Sequence, residues 1–591
     1  MIYWLALTNG EYKSYKDSLT AIENEKIAIE KRTIDFVATG EQQPEIDHYM
    51  KMEHSQSGHT NNESYRAASR GGYFSYRLKT NSETNLSLHV RYWGAERGGR
   101  KFEIYVDDEV LVTEDNTGRW NQQQFFNVEY PIPEAMVAGK EYVRVKFQSL
   151  PGNIAGGVYF IRLLGNDGTT SQFVKLRNPI IQTKYTADPA PMVYNDTVFL
   201  YTSHDEDDAM SFKMKDWLLY TSTDMVNWTD HGAVASLKNF RWAPRDNGAW
   251  APHCVERNGK FYLYCPMPAG VGIGVLVADS PYGPFKDPIG KPLIKNSIAD
   301  IDPAILIDDD GQAYLYWGNP HLYWVKLNED MISYSGEIQK DPTTPANYQE
   351  GPWVWKRNGY YYLAYASTCC PEGIGYAMST SPTGKWEYKG MIVDASEKTR
   401  GNHPGIIEYK GKSYCFGQSS DLLKRITSRF YERRSVDVDE MRYNADGTIQ
   451  NRSYWSVEGP EQIGTLNPFV RVEAETIAWS EGVKTHLEDG RIFVTSINHG
   501  DYILVKGADF SDGAKSIDVG VSSIEGGNIE IRIDKIDGPV IATIHINSSR
   551  ESGIWRTFSA PVQKVSGVHD LYFIFKGERD LFHFDWWKFS K

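Results

Sequence analysis

Cysteine is scarce in this chain. Its 591 residues include five, at 254, 265, 369, 370 and 415. The odd number excludes complete internal pairing, and the spacing fits no zinc site. Cys369 and Cys370 are adjacent and read as two reduced thiols, with a strained vicinal disulfide as the alternative. Long apolar runs are missing: none approaches the roughly 18–20 residues that span a bilayer, and the mean hydropathy is −0.49. Positive charge is in deficit, with 63 Lys and Arg against 77 Asp and Glu and a net charge of −14. That balance argues against a nucleic-acid binder and suits a neutral partner. The opening residues, MIYWLALTNGEYK, lack the basic start and apolar length of a secretory leader.

Aromatic residues, by contrast, are plentiful: 17 Trp, 37 Tyr and 24 Phe. Rings suit stacking on sugars, and they also fill β-rich cores. Residues 11–32 read as a polar amphipathic helix. Residues 70–165 alternate as short strands, among them LSLHVRYWG and YVRVKFQS, and predict a β-sandwich. NDGTTSQ (166–172) is a polar linker, and residues 468–591 predict a second sandwich.

Between these lies an internal repeat. Five segments share a proline, an apolar strand, a tight turn and an aromatic strand: DPAPMVYNDTVFLYTS, APHCVERNGKFYLYCP, DPAILIDDDGQAYLYWG, GPWVWKRNGYYYLAYAS and HPGIIEYKGKSYCFGQS. The prolines, 189, 252, 303, 352 and 404, recur every 49–63 residues. Further strand pairs follow the first four hairpins, and about four strands per fifty residues is the arithmetic of a propeller blade. The expected fold is therefore all-β: a five-bladed β-propeller flanked by two β-sandwich, jelly-roll-like domains. The expected boundaries are 1–172, 173–467 and 468–591.

In a propeller the first strand of each blade lines the central channel. The residues at the repeated prolines, Asp188, Asp302, Glu350 and His403, should therefore meet on the axis although they are far apart in sequence. A turn-capping role explains any one aspartate before a proline, but not three carboxylates in register. Clustered carboxylates repel and raise at least one pKa, which suits proton transfer. Glycosidic cleavage needs one protonated and one ionised carboxyl. A cation on the axis is a second reading of the same groups. Trp250 and Trp317 are candidate sugar platforms, with core packing between blades the alternative for Trp250.

TADPAP, IADIDPAIL and YQEGPWV resemble the signature regions of glycoside hydrolase family 43. The resemblance implies that Asp188 is the general base, Glu350 the general acid, and Asp302 a residue that orients Glu350 and raises its pKa. It implies inversion, with base and acid roughly 6.5–9.5 Å apart. It makes His204 a pocket-rim histidine and His403 an axial one, both substrate-binding candidates, and it implies no cofactor for catalysis. VEAE (472–475), NHGDYI (498–503) and FHFDWW (582–587) resemble carbohydrate-binding module family 6. There the matching residues, Glu473, Glu475 and Asp585, would hold a structural calcium. Trp555 would be one aromatic wall, but Ser496 and His583 replace the usual second aromatic and asparagine, which favours a structural module or one with altered specificity. The N-terminal unit, including RTIDFVATGEQQPEIDH, is similar to a sandwich appended to family 127 β-L-arabinofuranosidases.

The resulting expectation is an exo-acting inverting glycosidase on plant cell-wall glycans that contain arabinose or xylose. An α-L-arabinofuranosidase comes first and a β-D-xylosidase second. The expected partner is an oligo- or polysaccharide, with no nucleic acid and no membrane span, and substrate size points to a secreted or periplasmic protein. A catalytically silent glycan-binding protein and a protein-docking scaffold are the rivals from other classes.

Overall fold

Tight turns define the repeat. Asn195-Asp196, Asn258-Gly259, Asn358-Gly359 and Lys410-Gly411 all have positive φ at both positions, the pattern of the two-residue hairpin turn whose twist matches its strands. The computed structural model describes residues 29 and 32–591, apart from 61–62, 82, 166–176, 210, 244–245, 268–269, 369–370, 426–431, 524 and 550–552. The expected 11–32 helix, the 166–172 linker and the Cys369-Cys370 pair lie almost wholly outside the described residues.

Five small antiparallel sheets form the propeller. Their innermost strands are Tyr185–Tyr194, His253–Arg257, Ala304–Ile307, Tyr348–Arg357 and Gly405–Tyr409. Each touches the next, and the fifth touches the first, so the ring closes. These strands have one unpaired edge, which is where proline is tolerated in a sheet. All five repeated prolines accordingly line one axial cavity. Blade 2 departs from the four-strand expectation. It has three strands, and only isolated bridges at Ile294 and Lys286 follow Gly272–Ala278. Prolines 281, 284, 288 and 292 crowd that stretch and cannot donate to a ladder. Blade 5 also has three strands. Beside its outer strand, Ser435–Met441, the Ile180 N–H bonds the Val436 carbonyl, and Asn178 exchanges hydrogen bonds with Val438. The start of the propeller chain thus ties down its end.

Residues 472–591 build two facing sheets of six and five strands. Their shared core includes Val519, Phe573, Phe584 and Trp587, the sandwich arrangement. A two-residue strand, Thr476–Ile477, leaves this sandwich and pairs with Trp228–Ser236, becoming the fifth strand of blade 1. Propeller and C-terminal sandwich belong to one compact unit, residues 174–591.

Residues 1–173 form the other compact unit. Its nine strands make one sheet that folds over a core. The 17-residue strand Glu63–Lys79 runs through both halves, pairing with Ile154–Leu164 along its first part and with Tyr142–Ser149 along its second. Tyr92 and Phe102 face each other across the core at 6.1 Å. Among the described residues, no helix is long and apolar enough to cross a membrane.

Candidate active site

His403 stands at the centre of the channel. Its Nδ1 lies 3.5 Å from Asp188 Oδ1, and its Nε2 lies 3.7 Å from Asp302 Oδ2 and 3.3 Å from Glu350 Oε1. The ring thus stands between Asp188 and Glu350. Asp188 and Asp302 both have left-handed backbone, φ 52° and 57°, and Gly351 shares it at 59°. Such conformations cost of order 1–3 kcal/mol in a non-glycine residue and concentrate at functional sites. At Gly351 a side chain is excluded outright, because a Cβ there would lie 2.8 Å from the His403 ring.

Each carboxylate has its own partners. Asp188 accepts from Arg434 Nη1 at 2.9 Å and from Ser203 Oγ at 2.6 Å, and its N–H donates to Gln418. Arg434 is itself fixed by Asp205, through Nε and Nη2 at 2.9 Å each. Glu350 accepts from Asn319 Nδ2 at 2.5 Å, and Asp302 accepts from the Gly351 N–H at 3.2 Å. Another buried carboxylate, Glu372, accepts from the Asn402 N–H at 3.1 Å and so holds the turn that carries His403.

These partners divide the charge. Burial would raise Asp188, but Arg434 and His403 hold it below the usual carboxylate range, so it is ionised. Asp302 is pushed up to about 8 by burial and by Glu350 and Asp188, against the opposing pull of His403. Burial disfavours imidazolium at His403, yet Asp302, Asp188 and Glu350 together raise it to about 10. Glu350 departs from expectation. Burial pushes it up, but the hydrogen bonds from His403 and Asn319 bring it below its ordinary value. These directions favour protons on His403 and Asp302 over Glu350.

Two of the expected sugar contacts are corrected. Trp317 is fully buried, packs between blades against Tyr323 and donates to Asp300 at 2.9 Å. It is core, because its strand turns alternate side chains away from the channel. His204 also faces away. Its neighbours Ser203 and Asp205 point to Asp188 and Arg434, so strand alternation directs His204 to the other side, where Nδ1 meets Asp216 at 2.8 Å. Trp250 is half-buried near Phe212, with ring centres 6.4 Å apart, and its Nε1 has no protein partner. Phe212, missed in the sequence, lies 5.1 Å from the Arg434 guanidinium.

Arg434, Asn319, Ser203 and Gln418 were missed as well. A signal existed for three of them. Ser203, Gln418 and Asn319 each stand two residues after the last aromatic of a repeat's second strand, in YTSH, FGQS and YWGN. That shared position brings the hairpin back beside the channel. Arg434 follows no repeat.

In the C-terminal sandwich, Glu473 pairs with Arg471 at 2.7 Å, and Asp585 pairs with Arg491 and, at 3.5 Å, with Arg471. Glu475 is buried with Oε2 unpartnered, and burial together with Glu473, Asp230 and Asp585 raises it to about 9. Among the described residues, the trios whose ligating atoms all lie within 4.8 Å are Asp302–Glu350–His403 and His204–Glu206–Asp216, not this one. Trp555 lies 5.3 Å from Phe493, and His583 stacks on Phe493 at 4.6 Å. Ser496 has φ 57°.

Residues 176–449 match the family model of glycosyl hydrolases family 43, and residues 473–591 match carbohydrate binding module family 6. Residues 28–164 match a family of unknown function, which lends the family 127 resemblance no support. An arabinoxylan arabinofuranohydrolase of Bacillus subtilis is 34% identical over 490 residues, covering 72% of this chain and 94% of that protein. One of the same name from Paenibacillus polymyxa is 34% identical, covering 70% and 74%. A crystal structure of the family 43 arabinoxylan arabinofuranohydrolase from Bacillus subtilis, in complex with cellotetraose, superposes with a TM-score of 0.63 at 32% identity, covering 71% of this chain and 98% of that one.

Proposed function

Because the chain belongs to the glycosyl hydrolases of family 43, we propose that it removes terminal α-L-arabinofuranosyl residues from xylan-type glycans, with inversion. The observation that carries this reading is the meeting of Asp188, Asp302 and Glu350 around His403. The names of the relatives support the sugar class. A β-D-xylosidase is the second reading, favoured by a relative named xylosidase/arabinosidase, 31% identical over 332 residues.

In this reading Asp188, kept ionised, takes a proton from water as that water attacks the anomeric carbon. Glu350 gives its proton to the leaving oxygen. His403 and Asn319 stabilise the glutamate anion that results, so their lowering of its pKa makes Glu350 a stronger acid. It must first be loaded, and His403, between Asp302 and Glu350, is the path for that proton. The partly exposed rings of Trp250 and Phe212 offer a sugar contact at the rim.

Glu473, Glu475 and Asp585 would hold a structural calcium in the C-terminal sandwich. The orphaned, buried oxygen of Glu475 fits a hard cation. A polymeric substrate points to work outside the cytoplasm. The deciding experiment compares release of 4-nitrophenol from the α-L-arabinofuranoside and the β-D-xylopyranoside, with the anomer followed by NMR. Preference for the furanoside with inversion is expected. Retention would remove the mechanism, and preference for the xyloside would reverse the substrate order.

A further inference from the structure

The N-terminal unit has a core on one side of its strands Thr33–Ala38, Leu86–Trp93, Phe125–Ile132 and Ile154–Leu164, lined by Val37, Leu88, Val90 and Ile161. Strand alternation puts Phe36, Arg91, Phe125 and Phe160 on the opposite face. That face lies outside the core, and aromatic residues cross it in a continuous lane. Phe36 and Phe160 lie 5.8 Å apart, Arg91 sits 4.2 Å over Phe125 and 5.6 Å over Phe160, and Trp93 packs 4.9 Å from Phe125. Phe36, Phe160, Phe125 and Trp93 are half-buried, and Arg162 lies 4.5 Å over Phe36 and 5.3 Å over Phe160. Four strands make the lane roughly 14 Å wide.

A second observation points to a ligand. His89 lies in the lane, 5.7 Å from Phe160. It is only 4% exposed, and neither ring nitrogen has a hydrogen-bond partner. Burial, with Arg162, Arg32 and Arg91 nearby, keeps it neutral against the pull of Glu129. A neutral imidazole has one donor and one acceptor, and a buried pair left unmade is costly. The charges around it are already matched: Arg91 is bidentate to Glu63 at 3.0 and 2.8 Å, and Arg32 pairs with Glu129. The lane thus combines apolar ring faces, an unused donor and acceptor, and charges neutralised in pairs. An anionic ligand would find no unmatched cation at Arg91 or Arg32. An uncharged polyhydroxyl chain would meet the exposed parts of the rings for its C–H surfaces and, on displacing the side chains that cover it, the His89 imidazole for its hydroxyls.

We propose that this face is a glycan-binding site, independent of the propeller and of the C-terminal sandwich. That its ligand is the same pentose polymer the enzyme trims rests on the function proposed above; that it binds a neutral glycan does not.

The test uses full-length Glu350→Gln protein, so that bound polymer is not consumed, with and without Phe160→Ala or Phe125→Ala. Retention is measured by affinity electrophoresis in gels containing arabinoxylan, unsubstituted xylan, mixed-linkage β-glucan or galactomannan. Each ring removed should weaken binding to at least one polymer about fivefold, the factor for roughly 1 kcal/mol. In the active background, turnover of the 4-nitrophenyl glycoside should not change. Equal retention of parent and variants on all four polymers overturns the site. A loss confined to β-glucan or galactomannan keeps the site and changes its ligand, whatever becomes of the propeller's assignment. Where a variant melts early, 5-fluorotryptophan labelling decides. The Trp93 resonance, assigned with Trp93→Phe, should shift with millimolar oligosaccharide from the retained polymer, and a resonance that stays put overturns the proposal.

Discussion

The molecule gathers carboxylates twice, and the two groups behave differently. On the propeller axis Asp188, Asp302 and Glu350 share one imidazole, while a single guanidinium, Arg434, engages Asp188 alone. In the C-terminal sandwich Glu473 and Asp585 are met by Arg471 and Arg491, and Glu475 is left with a bare oxygen. The first group has fewer cations than carboxylates and makes up the difference with mobile protons. The second neutralises two members with fixed charges and leaves the third to a proton or a metal. Proton transfer needs the first arrangement, and rigidity is served by the second.

Removing a member should therefore have opposite consequences at the two places. Glu350→Gln should lower kcat by about 10³-fold or more with little change in melting temperature, measured on the nitrophenyl arabinofuranoside and by thermal denaturation. A variant that keeps a tenth of parental activity would dismiss Glu350 as the acid. Arg434→Met comes next. It strips Asp188 of its main counter-charge and leaves Asp205 unpaired, so kcat/KM should fall about 10- to 100-fold and the acidic limb of its pH profile should move to higher pH. An unmoved limb would detach Asp188 from that limb.

The pH profile of the parent sharpens the comparison without mutation. Activity requires a proton in the Asp302–His403–Glu350 group, and Asp302 holds its proton up to about 8. kcat/KM should thus fall as pH rises through about 8, and the acidic limb, set by an Asp188 held low, should lie below the ordinary carboxylate range. A fall already complete at pH 6 would contradict the proton placement. The smallest effect belongs to the other cluster. Calcium added after EGTA should raise the melting temperature by about 5 °C, Glu475→Gln should abolish the rise, and kcat should stay constant throughout. No response to calcium would leave Glu475 protonated rather than metal-bound.

Much of this was legible because the propeller repeats itself. Asp188, Asp302 and Glu350 lie 114 and then 48 residues apart in sequence, yet each marks the same proline of its repeat, so their meeting could be read without coordinates. Trp317 misled because a ring beside the channel in sequence can point either way, and only strand parity separates it from Ser203. Arg434 was invisible for another reason. It lies after the fifth hairpin, outside the pattern, and reaches Asp188 through a contact 246 residues long in sequence. The low pKa of Glu350 could not be read either, because it depends on two hydrogen bonds from other blades.

The Thr476–Ile477 strand has a consequence for anyone who cuts this chain. A gene truncated near residue 468 loses the outermost rung of blade 1 and bares the backbone of Trp228 and Thr229, the kind of open margin that recruits other chains. Grafting a foreign C-terminal domain onto this propeller, or lending this one to another enzyme, therefore calls for a splice beyond Ile477 that carries the borrowed rung along with the blade it completes.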